Sequence, residues 1–314
     1  MDGICPNWEG IVLQKSDEYV AVLPLPVKKK YGISFLQQPL FAQQLGVFSV
    51  QKLSISEIED FFALLQKKFR LVSDYPFNIL NYQEYKISFE KIFGEKSLKR
   101  HMTHHLPLQG NYEKIRQGYK KDTKYRINQA KRENFEIIKS TNIDLLYDFF
   151  EKSVVLENGI SSEARPILKK VFNILKKRNL AELYYIKNQE KEIVSGILFV
   201  KSQSLHSTKW IYLFNAANPS MKERNESRRW FLDKFIQEKN NEVNKNNFDI
   251  QSNDVSFFPS IVLDFESAQE LEVARFYASF GSEAQSFFVL NYNRLSFYIR
   301  HIQKIIQFIK SKLL

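Results

Sequence analysis

An apolar run that ends in two acids, IVLDFE, offers residue types that proton transfer needs. Residues Ile261–Glu266 have the pattern of a buried strand, in which positions i and i+2 lie on one side. Asp264 and Glu266 would then hold their carboxylates together, and repulsion between like charges raises the pKa of at least one of them. A carboxyl with a raised pKa can serve as a general base near neutral pH. The alternative interpretation is a strand end at which one acid caps the following helix.

A cationic loop, ANPSMKERNESRR, lies between a predicted strand and a predicted helix. Unpaired amides at a helix N-terminus bind anions such as pyrophosphate, and Lys222, Arg224 and Arg228 add positive charge there. The sequence has 10 glycines in 314 residues, and neither a G-x-G-x-x-G nor a P-loop motif occurs. The loop therefore predicts an anion site that lacks the glycines on which a close backbone approach to phosphate usually depends.

The most basic stretch is YEKIRQGYKKDTKYRINQAKRE, residues 112–133, in which basic residues outnumber acidic ones. Its apolar residues form a narrow stripe, so a helix here would pack on one side and be cationic elsewhere. Lys120, Lys121, Lys124 and Arg126 are candidates for binding the phosphates of a cofactor, a tRNA or another anionic partner. A solvated helix face without a partner is the alternative.

Three histidines, His101, His104 and His105, have the i, i+3, i+4 spacing with which a helix binds a metal ion. The LPL segment that follows them is typical of extended chain, and no cysteine is nearby. We therefore expect no metal site. No G-x-S-x-G or comparable nucleophile motif occurs, which leaves hydrolase chemistry without support.

Composition limits the class of protein. The 314 residues are 44% hydrophobic and 14% aromatic, which excludes wholesale disorder and suits two domains with large cores. The formal net charge of +11 favours anionic partners. The single cysteine, Cys5, excludes an internal disulfide and suits a reducing cytoplasm. Because the sequence has neither a signal-peptide pattern nor an apolar run that could span a bilayer, we expect a cytoplasmic protein without an integral membrane segment.

The elements that must position these residues follow the same order twice. The first set comprises strands at Ile11–Leu13, Tyr19–Leu23 and within residues 31–49, a helix capped by Ser54 or Ser56, and a strand at Phe77–Asn81. The second set comprises strands at Ala181–Lys187, Glu192–Lys201 and Lys209–Ala216, a helix at Glu226–Glu238, and a strand at Ile261–Glu266. The repeated order predicts a duplicated α+β unit.

Helices fill the rest of the chain. The predicted spans in the middle are Tyr112–Glu133, Asp144–Val155 and Arg165–Arg178, and the domain boundary is expected near Leu106–Asn111. An isoleucine stripe from Leu295 to Leu314 predicts a closing helix. Packing of this helix on the body is the favoured interpretation, and peripheral contact with a membrane is the alternative.

Three segments together resemble a known family. They are LPLPVKKKYGISFLQQPLFAQQLGVFS, YEKIRQGYKKDTKYRINQAKR and LDFESAQELEVARFYASFGSE. They resemble a bacterial family of the GNAT acyltransferase superfamily that is related to the Fem-type peptidoglycan aminoacyl ligases, which carry two GNAT-like domains in tandem. The resemblance covers most of the chain, and relatives would carry helices ahead of the position of Trp8. It implies a mixed, mostly antiparallel sheet flanked by helices in each of two domains, 1–108 and 109–292, with 293–314 as a helix that packs back on the body.

The resemblance implies transfer of an acyl group from a carrier, acyl-CoA or aminoacyl-tRNA, to a small amine acceptor, with no permanently bound cofactor. In GNAT proteins two neighbouring strands splay apart and the acyl-pantetheine pairs with the exposed edge, while the pyrophosphate lies on amides of the next loop and helix. The implied carrier-binding residues are Trp210, Tyr212, Phe214, Asn215, Asn218, Lys222, Arg224 and Arg228. The implied catalytic residues are Asp264 and Glu266 as proton acceptors and Tyr277 and Tyr292 as proton donors.

Three functions are open from the sequence. The first, which we expect, is an N-acyltransferase that uses acyl-CoA and works by direct attack of the amine. The second is a Fem-type, aminoacyl-tRNA-dependent ligase acting on a cell-wall precursor, which the net charge of +11 suits. The third is a degenerate GNAT that binds a nucleotide or another anionic partner without catalysis, which the absence of the superfamily's Q/R-x-x-G-x-G/A pyrophosphate signature favours.

Overall fold

The computed structural model describes residues 1–154, 163–203, 207–248, 260–266 and 269–299. Its strands are β1 (Glu9–Lys15), β2 (Glu18–Leu25), β3 (Val27–Lys30), β4 (Ile33–Gln37), β5 (Phe48–Ser49), β6 (Leu71–Pro76), β7 (Leu98–Pro107), β8 (Glu136–Ser140), β9 (Ala181–Lys187), β10 (Ile193–Gln203), β11 (Ser207–Ala217), β12 (Ser260–Asp264) and β13 (Glu283–Asn293). Its helices are α1 (Ile55–Lys68), α2 (Ile79–Phe93), α3 (Tyr112–Gln117), α4 (Lys121–Ala130), α5 (Asp144–Val154), α6 (Ala164–Lys177), α7 (Arg224–Phe248) and α8 (Leu271–Ala278).

The chain divides into two compact units. The first comprises Met1–His101 together with the described residues from Ser286 onward, and the second comprises Met102–Gln285. The division between them thus falls after His101 where we predicted 108, and the stretch from Ser286 to 292 groups with the first unit. The predicted closing helix at 293–314 lies largely outside the described residues, as do Ser267 and Ala268.

Among its described residues, the first unit contains α1, α2 and strands of two sheets. One sheet has the order β1-β2-β5, and the second has the order β3-β4-β6-β13, in which β4 and β6 are parallel. Helix α1 begins with a capping box between Ser54 and Glu57, so that of the two predicted caps, Ser54 and Ser56, the first is the N-cap. The strand predicted at Phe77–Asn81 is wrong, because Asn78 caps α2 and accepts a hydrogen bond from the Asn81 amide.

The second unit has a sheet of order β7-β12-β11-β10-β9-β8. Strands β11 and β12 are parallel, and the other neighbours are antiparallel. Helix α7 packs on one face of this sheet, where the Phe199 and Phe235 rings stack 3.8 Å apart. Both units thus contain two parallel neighbouring strands that are joined through a helix, β4 and β6 through β5 and α1, and β11 and β12 through α7. The predicted duplication of the α+β order is confirmed, because parallel neighbours require a crossover connection.

The basic stretch predicted as one helix forms two, α3 and α4. The break lies at Gly118, whose backbone meets Gly281. A Cβ atom at Gly281 would lie 3.0 Å from the Gly118 carbonyl oxygen, and Gly281 has a φ of +76°. The backbones approach so closely because neither residue has a side chain. Of the helices in the described ranges, none combines the length and the apolar character that crossing a membrane requires.

Candidate active site

The site is built where β11 and β12 part. Their parallel ladder runs from Ser207 opposite Ser260 to Ile211 opposite Asp264. Strand β12 ends there, whereas β11 continues to Ala217. Beyond Ile211, therefore, β11 is no longer paired with β12. The backbone groups on that edge of β11 become available to an extended ligand.

A bulge in β11 lies at the same point. Opposite β10, Tyr212 pairs with Phe199 and Phe214 pairs with Leu198, so that Leu213 is an extra residue. The bulge reverses the alternation of side chains. Phe214 packs against Phe150 of α5, at a ring distance of 5.0 Å, whereas Tyr212 belongs to the core beneath α7. Asn215 also faces α7, since its side chain contacts Arg228.

Asp264 is a buried, charged anchor. Its Oδ1 accepts a hydrogen bond of 2.6 Å from the Thr103 hydroxyl, and its Oδ2 lies 3.1 Å from His105 Nε2 and 3.3 Å from Lys209 Nζ. Burial raises the pKa of Asp264, but the contact with His105 and the charge of Lys209 outweigh it and lower the pKa to about 2. A carboxylate with so low a pKa is a weak base, so Asp264 positions β7, β11 and β12.

Glu266 lies beyond the end of β12, so the alternation that was expected to pair it with Asp264 does not apply. Its backbone has a φ of +64°, and its amide donates a hydrogen bond of 2.9 Å to Asp264 Oδ1. The side chain is partly buried. A left-handed conformation is costly for a residue with a Cβ atom, and such strain is concentrated at functional sites. Glu266 is thus the carboxyl whose backbone is fixed by the anchor.

Tyr277 of α8 lies next to the residue between the two acids. Its ring stacks on Phe265 at 4.9 Å and lies 6.1 Å from the Tyr212 ring. Burial, the neighbouring Tyr212 and the negative charge of Glu266 raise the pKa of Tyr277, which therefore keeps its proton at neutral pH. The other predicted proton donor, Tyr292, belongs to the first unit, where its hydroxyl donates to the Phe69 carbonyl oxygen at 2.9 Å.

The structure adds residues of β7 that sequence reasoning did not assign to the site. Thr103 and His105 alternate onto the side of Asp264, whereas His104 points the other way, with its ring 6.0 Å from that of Tyr277. Burial lowers the pKa of His104, which is therefore neutral at pH 7. The helical metal-site spacing of the histidines does not apply, because they lie on a strand. Within the described ranges, no group of three or more His, Cys, Asp or Glu side chains could hold a metal ion.

Several backbone amides of the predicted anion loop already donate hydrogen bonds within the chain. The amide of Asn218 donates to the Val194 carbonyl, and the amides of Ser220 and Met221 donate to the side chain and backbone of Asn218. The guanidinium of Arg224 donates to the Pro219 carbonyl, and Lys222 is exposed. The amides available to an anion are therefore those of the first turn of α7.

The side chains of the splayed strand are mainly core residues. Trp210 is buried, with its ring 5.6 Å from Phe235 and its centroid 4.6 Å from Lys239 Nζ. Phe214 and Tyr212 are buried as well. A carrier on this strand would therefore bind its backbone groups. The buried rings hold the strand in place by packing in the core.

The four predicted anion-binding residues of the basic stretch differ in their surroundings. Lys120 and Lys121 are exposed at the start of α4. Lys124 donates to the Gln117 carbonyl at 2.9 Å, and Arg126 contacts Asp122 at 2.9 Å and Glu226 at 3.5 Å. Part of the predicted cationic face thus holds α3, α4 and α7 together.

Comparison with solved structures agrees with this fold. A crystal structure of FemX matches with a TM-score of 0.56 at 11% identity, over 91% of this chain and 89% of that chain. A conserved protein of unknown function from Bacteroides thetaiotaomicron matches with a TM-score of 0.55 at 9% identity, over 91% and 86%. No protein-family model matches the sequence, and neither does any curated protein. The chain therefore has a Fem-like α+β fold of two tandem GNAT-like domains, as the resemblance predicted.

Proposed function

We propose that the protein is an N-acyltransferase that moves an acyl group from a carrier to an amine at the end of the β11–β12 ladder. The observation that carries the proposal is the parting of these strands after Ile211 and Asp264, beside the N-terminus of α7. An edge with unpaired backbone groups suits the amides of an extended carrier arm. The helix N-terminus suits the negative charge that such carriers hold.

The reaction needs one proton acceptor and one proton donor. The amine nitrogen attacks the acyl carbonyl carbon, and Glu266 accepts a proton from that nitrogen. Backbone amides at the β11 edge stabilise the tetrahedral oxyanion. The bond between the carbonyl carbon and the carrier atom then breaks, and Tyr277, protonated at neutral pH, gives its proton to the carrier. Asp264 stays ionised and holds the Glu266 backbone.

Acyl-CoA is the carrier that we expect from the sequence, and aminoacyl-tRNA is the alternative. Two observations favour aminoacyl-tRNA. The loop after β11 has no glycine, and several of its amides are bonded within the chain, which limits the close approach of a pyrophosphate. Lys120 and Lys121 are exposed at the start of α4, where a polyanion has access.

A donor panel tests the proposal. Thermal unfolding is measured with acetyl-CoA, longer acyl-CoAs and bulk aminoacyl-tRNA, and transfer of labelled acyl groups to a mixture of small amines is followed in parallel. Stabilisation and transfer with CoA esters alone would support acyl-CoA as the carrier. Stabilisation and transfer with aminoacyl-tRNA alone would support aminoacyl-tRNA. Binding without transfer for every donor would indicate a binding protein and refute the proposed chemistry.

Glu266→Gln is expected to lower kcat by about 10²- to 10⁴-fold, because the amide cannot accept the amine proton. The unfolding midpoint should change little, since the backbone hydrogen bond to Asp264 remains. Glu272→Gln, an exposed acid on α8, is the matched control and should keep wild-type kcat. Wild-type turnover in Glu266→Gln would exclude Glu266 as the base.

A further inference from the structure

We infer that Arg228 and Tyr212 form a subsite for a carboxylate that is carried by the amine acceptor or by the acyl group. The inference rests on the proposed function, since it adds a substrate group to the same site. It limits the substrates to amines or acyl groups with a carboxylate near the reacting atoms.

Arg228 is a charged group without a charged partner among the described residues. Its two terminal nitrogens donate to amide oxygens, at 3.1 Å to Asn215 Oδ1 and at 2.7 Å to Asn225 Oδ1. Its Nε is buried, and the described part of the chain offers it no acceptor. A guanidinium has five N–H donors in a fork that matches the two oxygens of a carboxylate. The two asparagines therefore orient the fork and leave Nε to receive an anion.

Tyr212 supplies an independent observation. It is 3% exposed, and its hydroxyl has no hydrogen-bond partner among the described residues. Burial raises its pKa to about 12, although the charge of Arg228 acts to lower it, so the hydroxyl remains a donor. A buried hydroxyl without a partner destabilises the fold, and a ligand oxygen that accepts its hydrogen bond would remove this cost.

The bulge at Leu213 brings these two groups together. With this extra residue between them, Tyr212 and Asn215 lie on the same face of β11, and Asn215 holds Arg228 there. Arg228 is thus drawn onto the sheet, whereas Lys222 and Arg224 stay with the loop. This placement favours a compact carboxylate at Arg228 over the pyrophosphate of a carrier. The charged Nε–H of Arg228 would donate to one carboxylate oxygen, and the Tyr212 hydroxyl would donate to the other.

Paired ligands test the subsite by calorimetric titration. One arm compares L-amino acids with the amines that lack their carboxylates, and the other compares succinyl-CoA with butyryl-CoA. In one arm the carboxylate ligand should bind at least about tenfold more tightly, and that arm identifies the source of the carboxylate. Arg228→Gln should abolish the preference, Arg228→Lys should restore part of it, and Tyr212→Phe should reduce it several-fold.

Other outcomes would overturn the inference. Equal binding within both pairs would mean that water alone satisfies Arg228 and Tyr212. A loss of affinity for CoA itself in Arg228→Gln, equal to the loss for succinyl-CoA, would assign Arg228 to the carrier. Tyr212→Phe preserves the ring packing and keeps the test decisive if the arginine variants unfold. A protein that binds carboxylates selectively but transfers no acyl group would refute the proposed function and leave the subsite standing.

Discussion

Asp264 and Glu266 are two residues apart in the sequence but have different environments. Asp264 contacts a hydroxyl, an imidazole and an ammonium group, and its pKa falls to about 2. Glu266 lies outside the strand, in a left-handed conformation that the Asp264 carboxylate stabilises. The expectation that repulsion between these acids creates the base therefore gives way to a division of roles. Asp264 is ionised and structural, and Glu266 is the acid that we propose as the base.

Asp264→Asn should destabilise the second unit by about 2 kcal/mol at pH 7. The pKa of Asp264 falls from 3.8 to about 2 on folding, and lowering a pKa by one corresponds to about 1.4 kcal/mol of stability. Because the folded-state pKa is the lower one, this stability is present above pH 4 and is lost as the pH falls toward 2. Urea unfolding followed by tryptophan fluorescence at pH 7 and at pH 2.5 measures both effects.

The expected pattern is a large difference between wild type and Asp264→Asn at pH 7 that shrinks at pH 2.5. Asp122→Asn is the matched control, because Asp122 pairs with Arg126 but is 65% exposed, where an ion pair contributes little. An equal loss of stability in both variants, or a difference that does not depend on pH, would contradict the anchoring role of Asp264.

Elements with a continuous apolar stripe were predictable from local sequence. Helix α6 was expected within one residue of its observed ends, because periodicity and capping depend on neighbouring residues. The break between α3 and α4 was not predictable in this way. It depends on Gly281, which lies far along the chain and contacts Gly118 only after folding. Helix α8 itself ends with Ser279 as its C-cap, two residues before Gly281.

Gly281→Ala should therefore destabilise the second unit by at least about 2 kcal/mol. The substitution adds a Cβ atom in a left-handed conformation and places it 3.0 Å from a backbone oxygen. Gly110→Ala separates the two effects, since Gly110 has a φ of +87° but a Cβ atom added there would have no neighbouring atom within 4 Å. Urea unfolding of both variants should give a smaller loss for Gly110→Ala, and equal losses would show that the glycine contact is unimportant.

At the scale of the whole molecule, the sequence predicted the duplicated α+β order, because each copy repeats the same local patterns. It did not predict how the site is assembled. Thr103 and Asp264 are 161 residues apart, and no periodicity links them. The i, i+3, i+4 spacing of His101, His104 and His105 suits a helix, whereas the extended LPL segment after them favours a strand. On a strand, alternation separates His104 from His105.

The net charge of +11 suggests an anionic partner, and we propose that it docks at the start of α4, where Lys120 and Lys121 are exposed. Lys120→Glu with Lys121→Glu should weaken binding of tRNA and reduce the slope of log affinity against log salt by about 2, because two phosphate contacts are lost. Lys176→Glu with Lys177→Glu on α6 changes the net charge equally and is the control. Filter binding at several salt concentrations measures both slopes. If both double variants show the same affinity and the same salt slope, the attraction is a property of the overall charge, and α4 is a solvated helix face.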